Sequence, residues 1–249
     1  MKTLAVIPVH NEIRHIKAIL AETRLFAEHV LVVDDGSDDG TGKILDRMED
    51  ILVLRHGVNR GYGRSLIDGF AYAVSHGYDA AVTLDADGQH EPQYIPWFLH
   101  ELAEADIVSG SRYLVEFEDS SPAPLERRSV NRIITDRLRR DLGLRLSDAF
   151  CGFKAYRASA LRRLRLTENG YGMPLELWVQ AAVLNLRIKE IPIKRIYHDT
   201  DRSFGGKLDQ TEVRLRYYNE LMDRTLSTFQ PEPAGMRACC CPGGCGGKG

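Results

Sequence analysis

Long apolar runs, a disulfide framework and a charge surplus are all missing from this sequence of 249 residues. No apolar stretch approaches the roughly 18 residues that a membrane span needs. The opening MKTLAVIPVHNE turns polar too early for a secretory signal, so a cytoplasmic chain without a transmembrane segment is expected. Lysine and arginine number 33 against 35 aspartate and glutamate, a net charge of -2. No global field therefore favours nucleic acid, and any cationic site must be local. Of the five cysteines, Cys151 stands alone while Cys239, Cys240, Cys241 and Cys245 crowd the last eleven residues, which is not the spacing of a disulfide scaffold. Also missing are an internal repeat, a Walker lysine pattern and a full dinucleotide fingerprint: NRGYGRS (59–65) has only two glycines before a helix, and fits a plain turn as well as a phosphate loop.

What is present is an alternation. Residues 3–9, 30–34, 51–55, 80–84 and 106–109 are short β-branched apolar runs that suit strands buried on both faces. Helical patterns separate them at 12–26 (Ile13, Ile16, Leu20 and Phe26 on one stripe), 42–49, 63–76 and 92–104. The first half thus predicts a mostly parallel α/β sheet flanked by helices. Its second half predicts a basic amphipathic helix over 125–142, a strand or hairpin around DAFCGFKAY, a helix over 174–185, a strand at 187–193 and a last helix from about 210 to 228. The composition of 230–249 cannot support a core, and a disordered Cys/Gly-rich tail is expected there.

Ligands of such sheets sit beyond the carboxyl ends of the strands, where PVHNE, DDGS and DADGQH collect on one rim. In DADGQH, Asp85, Asp87 and Gln89 alternate directly after a strand. Oxygens so placed suit a hard cation such as Mg²⁺ or Mn²⁺ with substrate phosphates, and suit equally a solvated turn capping the next helix. Asp34 and Asp35 on a neighbouring strand favour the cation.

The ordered series PVHNE (8–12), DDGSDDGT (34–41), NRGYG (59–63), DADGQHEP (85–92), SGSRY (109–113), DAFCGFKAYR (148–157), GYGMPLE (170–176) and RIKEIPI (187–193) resembles the family 2 glycosyltransferases of the GT-A fold. Within them it is most similar to the dolichol-phosphate mannose synthase and polyprenyl-phosphate sugar transferase group. The resemblance covers about residues 3–210. It implies one GT-A domain over 1–229, with a nucleotide-sugar half (1–110) and an acceptor half (111–229). It further implies a base and ribose pocket lined by Pro8, His10, Glu12, Val33 and Asp35, and a divalent metal on Asp85, Asp87 and Gln89. Ala86, between those carboxylates, would also contact the nucleotide sugar. Arg112, Arg202 and Lys207 would meet the donor phosphates, and Arg128 and Asn131 the acceptor. His10 replaces the family's usual tyrosine, and the DRSFGGKL loop is a residue shorter than a related spacing.

The implied reaction is inverting transfer of a sugar from a nucleotide diphosphate donor, with polyprenyl phosphate as the expected acceptor and a soluble glycan, protein or small molecule as the alternative. Asp87 and Arg112 would stabilise the leaving group. Asp148 is the candidate base, with a structural role, orienting an arginine, as the competing reading. Arginines from 127 to 145 fit equally a surface helix docked on the core with its cations in solvent and a cationic face for anionic membrane or acceptor phosphate. A nucleotidyltransferase would need a glycine-rich basic loop near the first strand, which PVHNE lacks. Loss of Asp87 would have favoured a noncatalytic nucleotide-sugar sensor, and Asp87 is present.

Overall fold

The computed structural model describes residues 1–197 and 206–229. In β1 (Thr3–Val9), Leu4 and Val6 face one layer of the core while Ala5, Ile7 and Val9 face the other. Successive strand side chains point to opposite faces, so a strand apolar throughout must be covered on both. With β2 (Val30–Asp35), β3 (Leu52–His56), β4 (Ala80–Thr83), β5 (Ile107–Ser111), β6 (Lys154–Arg157) and β7 (Ile188–Pro192) it forms a seven-stranded sheet in the order β3-β2-β1-β4-β6-β5-β7. Every pairing is parallel except those of β6, which runs antiparallel to β4 and β5.

The helices are α1 (Ile16–Thr23), α2 (Thr41–Leu45), α3 (Tyr62–Ser75), α4 (Ile95–Glu101), α5 (Leu125–Leu142), α6 (Ala158–Leu161), α7 (Met173–Val183) and α8 (Thr211–Thr228). One core layer takes its helical residues from α3, α5, α6, α7 and α8, the other from α1, α2 and α4. Among the described residues no helix is long and apolar enough to cross a membrane.

Three helices depart from their sequence patterns. The pattern over 12–26 overreaches: Ile13 and Phe26 are exposed, and the buried stripe is Ile16, Ile19, Leu20 and Thr23. In α5, Ile133 is exposed while Asn131 and Thr135 turn inward. Helix α7 is buried from Met173 through Ala181 because α5 and α8 also pack against it. The single turn α6 is too short to carry a periodicity. The tail 230–249, Arg202 and the side chain of Lys207 lie outside the described residues.

Because β6 alone is reversed, its leading segment 148–153 meets the carboxyl ends of the parallel strands. The polar loops after β1, β2, β3, β4 and β5 share that rim.

Candidate active site

The loops after β1 and β2 are clasped by Asn11. At φ 58 it occupies the left-handed region that asparagine tolerates. Its amide donates to Asp38 Oδ1 (2.9 Å) and accepts the Asp38 N–H (2.9 Å), while its own N–H reaches Ser37 Oγ (3.0 Å). The exposed His10 donates through Nδ1 to the Asp35 carbonyl (2.9 Å). Glu12 and Pro8 are buried, and Val33 has no accessible surface: its side chain belongs to the core with Leu66 and Phe70 rather than to an open pocket. Of the five side chains expected to line a base pocket, only His10 stands open.

Asp35 is also covered. Its Oδ1 accepts His56 Nδ1–H (2.5 Å) and the Arg60 N–H (2.8 Å), and its Oδ2 accepts the Gly61 N–H (2.8 Å). The carboxylate thereby holds the NRGYG loop. The two glycines of that loop serve packing: a Cβ at Gly61, where φ is 102, would come 2.4 Å from the Asn169 carbonyl, and one at Gly63 would come 2.3 Å from that of Glu168. They let segment 168–170 cross the start of α3.

The turn after β4 is different. The Asp85 side chain is 30% exposed, and Asp87 and Gln89 are half-buried. Tyr62 donates its hydroxyl to Asp85 Oδ1 (3.1 Å), while Gln89 donates its N–H and its amide to the two Asp87 oxygens (3.0 Å each). Gly88 makes the turn at φ 75, and Ala86 is tucked into the core at 3% exposure. Buried His90 accepts the Asp85 N–H on Nδ1 (3.0 Å), which puts its proton on Nε2. Burial lowers its pKa, against the raising pull of Asp85 and Asp87. Gly152 makes room beside Asp85, since a Cβ there would fall 2.4 Å from Oδ2.

Among the described residues no three His, Cys, Asp or Glu side chains converge as a preformed cage. Two partly open carboxylates and an amide oxygen are nonetheless a hard donor set, suited to a divalent cation that completes its shell with phosphate oxygens and water.

On the far side of the turn, Arg112 and Asp148 form a two-pronged pair: Nε to Oδ2 (2.7 Å) and Nη2 to Oδ1 (2.9 Å). Asp148 has no accessible surface, and also accepts the N–H groups of Arg112, Phe150 and Cys151. Burial pushes its pKa up, but the Arg112 charge and these bonds outweigh burial and hold it below the usual range. The same partner raises Arg112 despite the opposing effect of its own burial. Glu190 on β7 accepts the Ser147 and Asp148 N–H groups (2.8 and 3.0 Å). Asn131, expected at an acceptor, instead donates to the Ser147 carbonyl (2.8 Å) and accepts the Ala149 N–H (3.0 Å), so its amide is committed to this loop.

Five groups here had no role assigned from the sequence: Lys154, His90, Tyr62, Gly152 and Glu190. Lys154 is buried and donates to the Cys151 carbonyl, with its ammonium 5.4 Å from the Trp178 ring centre. Burial lowers its pKa, while Cys151, Asp148 and Asp85 oppose that shift. Burial also pushes the Cys151 thiol up to about 12, consistent with a packed, inert side chain. His90 lies inside a legible motif. Tyr62, Gly152 and Glu190 carry no local signal, because each matters only through a residue distant in sequence.

The arginines of α5 divide. Arg137 bonds Asn219 and Asp223 on α8 as well as Asp141, Arg139 pairs with Asp136, and Arg140 with Asp141. Arg128 is exposed and forms no ion pair among the described residues, and Arg132 is 85% exposed with Asp136 only at 4.0 Å. The open cationic surface therefore lies on the first half of the helix.

Comparison with known proteins gives the family and the fold. The family model described as Glycosyl transferase family 2 matches residues 4–165. An undecaprenyl-phosphate mannosyltransferase of Micrococcus luteus is 36% identical over 226 residues, covering 86% of this chain and 93% of the relative. A polyprenol monophosphomannose synthase of Mycolicibacterium smegmatis is 30% identical over 225 residues, covering 86% of this chain and 83% of the relative. In structure, glucosyl-3-phosphoglycerate synthase from Mycobacterium tuberculosis, solved with Mn²⁺, uridine diphosphate and glucosyl-3-phosphoglycerate, superimposes with a TM-score of 0.69 at 18% identity, covering 91% of this chain and 80% of that one. That likeness shows the GT-A fold. The match of the family model over residues 4–165 and the identity to the Micrococcus luteus relative lead to one conclusion: the chain is a glycosyltransferase and belongs to glycosyl transferase family 2.

Proposed function

We propose that the protein transfers a hexose from a nucleoside diphosphate sugar to a polyprenyl phosphate, with inversion at the anomeric carbon. One observation carries the donor half of this reading: Asp85 and Asp87 stand partly open on the rim beside a fixed arginine, while their neighbours Asp35 and Asp148 are consumed by internal bonds. The names of the two relatives support the acceptor half.

Asp85 and Asp87, with Gln89, would hold Mg²⁺ or Mn²⁺. When bound, such an ion neutralises charge on the donor pyrophosphate as the leaving group departs. The protein's own part is positioning. Arg112 is held flat by Asp148, and its Nη1 lies outside that fork, available to a phosphate oxygen. Asp148 itself has no open lone pair to act as a base; its bonds suit an anchor for Arg112. An ionised acceptor phosphate needs no base, since it is already a nucleophile near neutral pH. In this reading Asp35 shapes the NRGYG loop, His10 remains the side chain nearest the base, and Asn131 braces the 147–149 loop. Arg128 and Arg132 on the open half of α5, next to exposed Leu125, would meet acceptor phosphate and anionic lipid headgroups in a peripheral contact.

The test is a thermal-shift screen of nucleoside diphosphate sugars with and without Mn²⁺, followed by transfer assays with polyprenyl phosphate. A donor that raises the melting temperature only with Mn²⁺ is expected, and polyprenyl phosphate should accept its sugar. Stabilisation that is independent of metal would remove the metal role. Transfer to a soluble glycan but not to polyprenyl phosphate would favour the alternative acceptor.

A further inference from the structure

The donor rim rests on a buried cluster that touches no substrate. The β2–β3 register places His56 beside Asp35. His56 Nδ1 meets Asp35 Oδ1 at 2.5 Å and Nε2 meets Asp68 Oδ2 at 3.0 Å, so the ring is tied at both ends. Its side chain is 3% exposed, which keeps it from reaching a donor. Asp68 is anchored in turn by Arg64 on the same helix, whose Nε donates to Oδ2 at 2.8 Å.

From this cluster a continuous run of bonds leads to the metal-binding turn. Oriented by His56, Asp35 accepts the Arg60 and Gly61 N–H groups, one on each oxygen. Gly61 is confined between those bonds and the Asn169 carbonyl, on which any side chain would collide. The next residue, Tyr62, opens α3 and hangs its hydroxyl on Asp85 Oδ1. Its ring is held from the other side by Tyr171, stacked at 5.7 Å with an interplanar angle of 19°. A carboxylate of the donor site, just after β4, thus takes part of its orientation from β3, three strands away in the sheet.

We propose that His56 is a positioning residue of the donor site, acting through Asp35 and the 59–61 loop to set Tyr62 against Asp85. The inference rests on the reading of the rim as a nucleoside diphosphate sugar site. A residue that merely joins β3 to β2 would change stability alone. A positioning residue changes affinity, and changes it according to which of its two bonds is kept.

The two amide side chains separate those bonds. In His56→Asn the amide nitrogen sits near the position of Nδ1 and keeps a donor toward Asp35. In His56→Gln it reaches toward Asp68 and abandons Asp35. Isothermal titration of the full-length protein with uridine and guanosine diphosphate, each with and without Mn²⁺, reads the difference. Outer partners of ligating carboxylates are typically worth about 10–100-fold in affinity. His56→Gln is therefore expected to lose about tenfold or more with Mn²⁺, whereas His56→Asn stays close to the wild type. Tyr62→Phe, which removes one hydroxyl from the far end of the run, should lose affinity only when Mn²⁺ is present.

Wild-type affinity in a folded His56→Gln protein would overturn the proposal, as would equal losses in the two His56 variants that simply track their melting temperatures. If His56→Gln does not fold, Tyr62→Phe decides: unchanged Mn²⁺-supported affinity overturns the proposal. Failure of the wild-type protein to bind either diphosphate refutes the reading of the rim instead, and so is told apart from failure of this inference.

Discussion

Asp35 and Asp148 can be set against Asp85 and Asp87: all four are aspartates on one rim, in polar segments next to strands. Asp148 accepts five hydrogen bonds and Asp35 three, all from the protein itself. The Asp85 side chain keeps 30% of its surface, and the bonds to Asp87 include two from the half-buried Gln89. Surroundings, not residue type, decide whether a carboxylate is scaffold or site: once N–H groups and a guanidinium saturate it, nothing remains for a ligand. The same division runs along α5, where Arg137, Arg139 and Arg140 are tied to aspartates while Arg128 and Arg132 stand open.

If the division is correct, the largest effect on folding comes from the saturated group. Asp148→Ala leaves the Arg112 guanidinium, on a side chain only 17% exposed, without its partner, and for a fully buried charge such a loss typically costs about 3–5 kcal/mol. Chemical denaturation should show that loss, and a native-like midpoint would break the comparison. The direction with pH follows from the lowered pKa of Asp148. Its stabilising contribution is present above the ordinary aspartate value of about 3.9 and fades as pH falls below it. The stability of Asp148→Asn should accordingly change less over that acid range than the wild type does.

The open group should show the reverse. Asp87→Ala is expected to cut turnover by about 10²–10³-fold, the usual effect of removing one preorganised electrostatic group, with a melting temperature close to that of the wild type. Retained turnover in the folded variant would end the site assignment of Asp87. The smallest effect concerns α5. Flotation with vesicles containing anionic lipid should fall when Arg128 and Arg132 become Gln, by about 1 kcal/mol per charge near the surface, and should weaken with salt. Changing Arg139 and Arg140 to Gln should matter less, because Asp136 and Asp141 already offset them. Equal losses from the two pairs would break the division within the helix.

Much of this architecture was legible beforehand. The strands β1 to β5 appear within one or two residues of their apolar runs, and α5 spans the residues that its pattern marked. Burial on both faces leaves runs such as LAVIPV no other solution, and the turn signals that bound them are local. The site was legible only as a set of motifs. DADGQH and SGSRY announced polar chemistry at strand ends, yet Val33, Asp35 and Asn131 turned out to be core, loop anchor and brace. Their partners, Leu66, Gly61 and Ser147, come from elsewhere in the chain, and no spacing rule connects them.

Composition and periodicity alone determined the alternation of strand and helix, the shared rim at the strand ends and the presence of acidic groups on it. Only the tertiary structure decided which of those groups remain open. That choice depends on the reversed β6, which carries segment 148–153 to the rim, on the Gly61 and Gly152 positions where backbone and carboxylate approach too closely for a Cβ, and on the register that sets His56 beside Asp35. Each of these is a contact between segments far apart in the chain, and hydrogen bonds and steric exclusion act on distance in space, which the order of residues does not contain.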